Sequence, residues 1–167
     1  MGARALATWA TLGALASIPA AGHQIPAALF FSTLCVLSVV DWRTRYLPDP
    51  LQRLGYLATA AEAAWQVAGG ARWPDVVAAW SAGVIGGLVL FAAAWRTGQL
   101  GLGDVKLAGA CGAWLALTCP GRIPLALLVM GVVGALGAVR SRSGTFAYGP
   151  AIAAGTYAAC LAHLAVV

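Results

Sequence analysis

The chain has only five acidic residues among 167, and two of them stand where ionisation is costly. Asp41 ends the apolar run "FFSTLCVLSVVD", and Asp104 opens another run directly after Gly101 and Gly103 in "GLGDVKLAGA". Two buried carboxylates that lie close together can share one proton, because like charges a few ångströms apart cannot both ionise cheaply. The ionised carboxylate can act as a base on water while the protonated one polarises a carbonyl group. This is the chemistry of aspartic proteolysis.

The composition predicts that a helical membrane bundle holds these carboxylates. Hydrophobic residues make up 61% of the chain and charged residues only 9%, whereas a soluble domain carries roughly 25% charged residues. Apolar runs recur between turn signals, and the alternating strands of a membrane barrel are absent from the sequence. We therefore predict an all-α polytopic fold with seven runs, which cover residues 4–21, 26–41, 51–69, 76–95, 104–118, 122–139 and 147–166.

The runs are expected to form one membrane-embedded domain over residues 1–167. Within it, residues 26–167 form a six-helix core and residues 1–25 form an extra N-terminal segment. The run at 4–21 is rich in Ala and Gly and resembles a cleaved signal in composition, but a retained helix is the favoured interpretation.

The basic residues predict the orientation of the bundle. If the N-terminus is cytoplasmic and all seven runs span the membrane, only two basic residues, Arg72 and Arg122, lie on the outer side of the membrane. This distribution is the one that the positive-inside rule predicts. The net charge of +5 is then explained by the orientation of the helices in the membrane. We therefore expect contact with membrane lipid and no binding of nucleic acid. The basic residues predicted on the cytoplasmic side are Arg4, Arg43, Arg45, Arg53, Arg96, Lys106, Arg140 and Arg142.

Asp41 and Asp104 are both expected at the inner membrane surface. Their runs hold about 15 residues each and therefore extend about 22 Å, which is less than the ~30 Å hydrocarbon core. Two spans separate them, and an even number puts both carboxylates on one face. Gly98, Gly101 and Gly103 allow a tight turn and a close approach of Asp104 to its partner. The alternative for this stretch is that Asp104 only caps a helix.

The other three acidic residues have structural interpretations. Asp49 precedes Pro50, which predicts a helix cap followed by proline at the first helical position. Asp75 is predicted to cap the helix that begins at 76. Glu62 falls inside the run at 51–69, where an ionisable group is a functional candidate. The structural alternative is that its carboxyl group is protonated or bonds to a polar neighbour.

No metal or cofactor site is predicted. The cysteines show no Cys-x-x-Cys spacing, so a zinc site built from cysteine pairs is excluded. His23 and His163 are expected near the outer side, far from the aspartates, and a Ser/His/Asp set cannot be assembled on one face. The cysteines are interpreted as small buried apolar residues; they are Cys35, Cys111, Cys119 and Cys160.

Two groups of glycines lie at spacings that permit helices to pack closely. Close packing is the favoured interpretation, and room for a substrate helix is the alternative. These glycines are Gly83, Gly86 and Gly87, followed by Gly131, Gly134 and Gly137.

Three elements of the sequence resemble motifs of the type IV prepilin peptidases, a family of intramembrane aspartic proteases. The stretch "GLGDVKL", residues 101–107, looks like the Gly-x-Gly-Asp motif of that family. The stretch "DWRTRYLPD", residues 41–49, is similar to its first aspartate motif, which ends in a Leu-Pro turn. "YGPAIAAG", residues 148–155, resembles the Phe-Gly-Pro element that opens its last helix. The resemblance covers residues 26–167.

This resemblance implies that Asp41 and Asp104 are the catalytic pair. Members of the family cut the short basic leader from prepilins and pseudopilins at the cytoplasmic face of the bacterial inner membrane, typically after a glycine. No metal or cofactor is implied. The supporting residues that the motifs imply are Pro48, Gly101, Gly103, Lys106, Gly149 and Pro150.

The chain also departs from the pattern of the long family members. Those carry a cytoplasmic domain with paired cysteines, and many methylate the new N-terminus of the substrate. This chain lacks such cysteines, so we expect the short form associated with Flp-type (tight adherence) pili, and no methyltransferase activity. Tyr148 replaces the usual Phe, and Ala147 stands where Pro is frequent.

Two other functions compete with this interpretation. Presenilin and signal-peptide-peptidase types share Gly-x-Gly-Asp but normally pair it with a Tyr-Asp element, whereas Val40 precedes Asp41 here. A protein that handles protons or cations would place its carboxylates near mid-membrane on broken helices. The runs instead predict both carboxylates at the inner edge.

Overall fold

The structure, a computed structural model, describes residues 24–98, 100–140 and 146–166. This part of the chain is helical and contains no strand, which confirms the all-α prediction; the run at 4–21 lies outside it. Each of the six runs predicted for the core corresponds to one helix. The helices are α1 (Gln24–Thr44), α2 (Asp49–Ala68), α3 (Trp73–Arg96), α4 (Leu102–Thr118), α5 (Ile123–Arg140) and α6 (Gly149–Leu164), and a 3-10 turn (Pro120–Arg122) precedes α5.

Three helical segments of the described chain are long and apolar enough to cross a membrane: Ile25–Thr44, Trp73–Arg96 and Pro120–Arg140. In an apolar 18-residue stretch of the second segment only 11% is buried within the bundle, and in that of the third only 17%. Apolar side chains exposed on this scale require a lipid surrounding. The 17 residues of α4 and the 16 residues of α6 extend only about 25 Å. The protein is a helical membrane bundle that combines long lipid-facing helices with shorter inner ones.

Helix α4 is the centre of the bundle and packs against α2, α3 and α6. Its Trp114 ring stacks on Phe30 of α1 with a centroid distance of 4.4 Å. A Cβ atom on Gly83 or Gly87 of α3 would overlap the backbone of α4. These two glycines therefore let α3 and α4 approach backbone to backbone, as their spacing predicts.

The prediction of close packing is wrong for Gly86 and Gly131. A Cβ atom on either residue would meet open space, because each points away from the neighbouring helices. Gly134 instead accommodates the Tyr148 ring and Gly137 accommodates the Phe146 ring, so this part of α5 packs against aromatic side chains that precede α6.

The predicted caps at Asp49 and Asp75 are also wrong. Helix α2 begins at Asp49 itself, with Pro48 in the N-cap position and no side-chain cap bond. Helix α3 begins at Trp73, and Asp75 in its first turn forms an exposed ion pair of 3.8 Å with Arg72. Both helices begin earlier than predicted because a proline fits the first helical turn, where its missing N–H costs nothing.

Candidate active site

Asp41 and Asp104 lie at the same end of the bundle and line one cavity of about 350 Å³. Their side chains are buried, with exposed fractions of 4% and 8%. Asp41 lies three residues before the end of α1, and Asp104 is the third residue of α4. The carboxylates are therefore near helix ends and not at the middle of the spans, which is unlike the arrangement expected of an ion pathway.

The carboxylate of Asp41 is held by the start of the last helix. The backbone N–H of Gly149, the first residue of α6, donates a hydrogen bond of 2.8 Å to Asp41 Oδ2. The N-terminus of a helix carries partial positive charge, so α6 stabilises an anion at this point. A Cβ atom on residue 149 would lie only 2.8 Å from the same oxygen, and glycine is the residue that permits this approach. Pro150 follows it in the first turn of α6 and lines a neighbouring cavity that also contains Trp42.

The carboxylate of Asp104 folds back onto the residue that precedes its helix. The N–H of Gly101, the N-cap residue of α4, donates a hydrogen bond of 3.0 Å to Asp104 Oδ2. Asp104 thus does cap its helix, as the alternative interpretation held, but only with one oxygen. Its Oδ1 is buried and has no hydrogen-bond partner among the residues that the structure describes. The cap therefore orients Oδ1 and leaves it without a hydrogen bond from the described chain.

The Leu-Pro-Asp turn packs against the glycine next to Asp104. A Cβ atom on Gly103 would lie 2.9 Å from Leu47 Cβ and 3.3 Å from Gln52 Nε2. Gln52 in turn donates a hydrogen bond of 3.1 Å to the Leu47 carbonyl, and Pro48 continues the turn into α2. The first aspartate motif and the Gly-x-Gly-Asp motif are therefore in direct contact, and the absence of a side chain at residue 103 allows this contact.

Lys106 joins α4 to the start of α2. Its Nζ forms an ion pair of 2.7 Å with Asp49 Oδ1, and both side chains are exposed. The hydrogen bond and positive charge of Lys106 hold the pKa of Asp49 below its ordinary value. The Lys106 carbonyl also accepts a hydrogen bond of 2.8 Å from the Tyr56 hydroxyl. Lys106 and Asp49 line the same cavity as Asp41 and Asp104.

Two backbone positions with left-handed geometry shape the chain around the site. Gly98, two residues after the end of α3, has a φ of 75°, as the predicted tight turn requires. Arg45, directly after α1, has a φ of 55°, and its N–H donates a hydrogen bond of 2.8 Å to the Asp41 carbonyl. Arg45 also lines the cavity. The cavity position of Arg45 and the contacts of Gln52 were not predicted, because neither a left-handed backbone angle nor the burial of a glutamine can be deduced from the residue types alone.

The sequence model of the type IV leader peptidase family matches residues 28–139. The chain belongs to this family. Asp41 and Asp104 both lie inside the matched range, and Gly149 lies beyond it. Comparisons with curated proteins and with solved structures gave no match.

Glu62 and His163, two other ionisable candidates of this leader peptidase, lie away from the cavity. Glu62 is fully buried in α2, and its Oε1 accepts a hydrogen bond of 2.9 Å from Gln66. His163 lies near the C-terminal end of α6, the end opposite to Gly149, and His23 lies outside the described residues. Across residues 24–98, 100–140 and 146–166, no three His, Cys, Asp or Glu side chains could together hold a metal ion.

Proposed function

We propose that this leader peptidase is an aspartic endopeptidase in which Asp41 and Asp104 activate water to cut the leader from type IV prepilins or pseudopilins. The observation that carries the proposal is the shared cavity, in which two buried carboxylates are each fixed by one glycine N–H. This arrangement orients both side chains before substrate binds, and preorganised geometry is a major source of rate enhancement.

The proposed reaction uses one ionised and one protonated carboxyl group. The ionised carboxylate takes a proton from water as the water oxygen attacks the carbonyl carbon of the leader peptide bond. The protonated carboxyl group donates its hydrogen to the carbonyl oxygen, which becomes the hydroxyl of a tetrahedral intermediate. When the C–N bond breaks, the departing nitrogen takes a proton from one carboxyl group and leaves as the new N-terminus. The other carboxylate takes a proton from a hydroxyl of the intermediate, which becomes the new C-terminal carboxyl group, so the pair again holds one proton. The buried Oδ1 of Asp104 is free of protein hydrogen bonds within the described chain, and we assign it to the attacking water or the shared proton.

The substrate is proposed to be an Flp-type prepilin, with the site at the cytoplasmic face of the bacterial inner membrane. Charge supports this orientation, because the residues near the carboxylates include Arg43, Arg45 and Lys106. Arg72 and Arg122 lie at the opposite helix ends. The Flp assignment is supported by the cysteine pattern of the chain, which contains no Cys-x-x-Cys pair. A basic leader that lies on the cytoplasmic surface then presents its cleavage site at the depth of the cavity.

The experiment is a reaction of the protein, reconstituted in lipid vesicles, with a purified Flp-type prepilin. Mass spectrometry of the product should show loss of the basic leader by one cut, after a glycine. A type IV pseudopilin is tested in parallel. Cleavage of the Flp-type prepilin alone supports the Flp assignment, whereas cleavage of both proteins supports the broader class of type IV prepilins and pseudopilins. An unshortened prepilin, in vesicles where the protein is folded and inserted, would overturn the proposed substrate.

A further inference from the structure

Two cysteines meet at the end of the bundle that is opposite to the carboxylates. Cys119 directly follows α4, and Cys160 lies about one turn before the end of α6. Their Sγ atoms are 3.8 Å apart and interact with each other, although the residues are separated by 41 positions. Cys119 is buried, whereas Cys160 is partly exposed. The proposed proteolytic reaction uses neither side chain.

The distance between these thiols is short enough for a covalent bond. A disulfide has an S–S length of about 2.05 Å, so the sulfur atoms need to approach by less than about 2 Å. Rotation about the two Cα–Cβ bonds supplies part of this movement. Cys119 directly follows α4 and Cys160 lies in α6, so the bond would add a covalent link between two helices that already pack against each other.

The location of the pair relative to Asp104 defines its chemical environment. Fifteen residues separate Asp104 from Cys119, which corresponds to about 22 Å along a helix. If the carboxylates lie at the cytoplasmic face, as the proposed function states, the cysteine pair lies toward the outer face. Thiols on that side of a bacterial membrane meet an oxidising compartment, in which disulfides form and persist.

We propose that Cys119 and Cys160 form a disulfide bond in the membrane-inserted protein, and this inference rests on the orientation in the proposed function. The oxidant is a protein disulfide of the thiol–disulfide oxidase class. The Cys160 thiolate attacks that disulfide and forms a mixed disulfide, which releases one thiolate of the oxidase. The Cys119 thiolate then attacks the Cys160 sulfur and releases the second thiolate. Two protons leave the cysteines, and two electrons reduce the oxidase to its dithiol form.

The bond would fix the two helices that orient the carboxylates. Helix α4 carries Asp104, and α6 begins with Gly149, which holds Asp41. A cross-link between their outer ends limits relative movement of the inner ends without contact with the reacting atoms. The disulfide therefore acts as a structural staple, and the hydrolytic chemistry does not require it.

The test counts free thiols in the full chain expressed in a bacterial inner membrane. Cells are quenched with acid, and the denatured protein is alkylated with a maleimide reagent before and after reduction. The chain has four cysteines, so the proposal predicts two labels without reductant and four with it. Cys119→Ser should give three labels under both conditions. The matched control Cys111→Ser, in which the buried thiol of α4 is removed, should give one label without reductant and three with it.

Four labels on the native protein without reductant would overturn the inference, because the native count requires no variant to fold. Prepilin cleavage is measured on the same cells, so the two proposals can fail separately. Cleavage by a protein with four free thiols leaves the proposed function intact and removes the disulfide. An oxidised pair in a protein that cleaves no prepilin supports the disulfide and removes the proposed substrate.

Discussion

The backbone N–H of Gly149 lies 2.8 Å from Oδ2 of Asp41, although 108 positions separate the two residues in the chain. This hydrogen bond joins α1 to α6, the first and last helices of the described chain. A second bond of 3.0 Å, from the Gly101 N–H to Asp104 Oδ2, orients the other carboxylate. Each carboxylate is therefore positioned by the amide of a glycine at the beginning of a helix.

Substitution of Gly149 by alanine should impair cleavage strongly. The new Cβ atom would lie 2.8 Å from Asp41 Oδ2 and would displace the carboxylate. A displacement of about 1 Å can reduce a rate about 100-fold, and we expect a loss of at least about 10-fold in the initial rate of prepilin cleavage. Gly131→Ala is the matched control, because a Cβ atom there meets open space. Equal rates for these two variants would contradict the positioning role of Gly149.

The two glycines before Asp104 should differ in their tolerance of alanine. At residue 103 the new Cβ would lie 2.9 Å from Leu47 Cβ, whereas at residue 101 the nearest atom is Asp104 Oδ2 at 3.4 Å. The backbone of Gly101 is also extended, with φ −79° and ψ 156°, which alanine adopts readily. Gly103→Ala should therefore reduce both cleavage and thermal stability more than Gly101→Ala. If purified Gly101→Ala cleaves more slowly and unfolds at a lower temperature than Gly103→Ala, the contact of residue 103 with Leu47 does not determine which glycine tolerates alanine.

The ion pair between Lys106 and Asp49 should support cleavage modestly. Lys106→Met and Asp49→Asn should each reduce the rate by about 2-fold to 5-fold, because the pair is exposed and screened by solvent. The double variant should be no slower than the slower single variant, since both changes remove the same interaction. Additive losses would indicate that the two side chains act independently.

The contribution of this ion pair should persist in mildly acidic solution. Lys106 holds the pKa of Asp49 below the ordinary value of 3.8. A lowered pKa in the folded state means that the stabilisation is complete above about pH 4 and is lost as the pH falls through the lowered value. The rate ratio of native protein to Lys106→Met should therefore stay constant between about pH 5 and pH 8. A ratio that falls to one near pH 6 would show that the pair does not act as described.

Glu62 should be dispensable for the reaction. Its carboxyl group is fully buried and accepts a hydrogen bond from Gln66, whose Nε2 also donates to the Leu117 carbonyl. Glu62→Gln keeps the size of the side chain, so we expect cleavage within about 2-fold of the native rate, with any loss confined to stability. Abolished cleavage in a variant that retains its native helical content and thermal midpoint would make Glu62 a participant.

The helices could be predicted from the sequence because apolar runs and prolines are local signals. The predicted runs agree with the observed helices to within three residues, and the end of α1 is one of the largest differences, at residue 44 instead of 41. The position of Asp41 near a helix end followed from the apolar runs. A tight turn at Gly98 followed from the glycines between two runs, and the structure adds its left-handed geometry.

The contacts between distant residues could not be predicted from these signals. Periodicity does not determine how a helix is rotated about its axis, so Gly86 and Gly87 look equivalent in the sequence although only Gly87 faces α4. The bond from Gly149 to Asp41, the ion pair of Lys106 with Asp49 and the meeting of Cys119 with Cys160 all depend on tertiary packing. The family resemblance suggested the importance of some of these residues without indicating their partners.

The most direct test of the account compares Asp41→Asn and Asp104→Asn with the native protein in prepilin cleavage. Asparagine keeps the size of the side chain but can neither accept nor supply the proton, so each change should reduce the initial rate by at least about 100-fold. Asp75→Asn, at an exposed ion pair on the opposite helix ends, is the matched control and should cleave at the native rate. If either Asp41→Asn or Asp104→Asn, inserted and folded as the native protein is, still shortens the prepilin at the native rate, the proposed pair of aspartates is wrong.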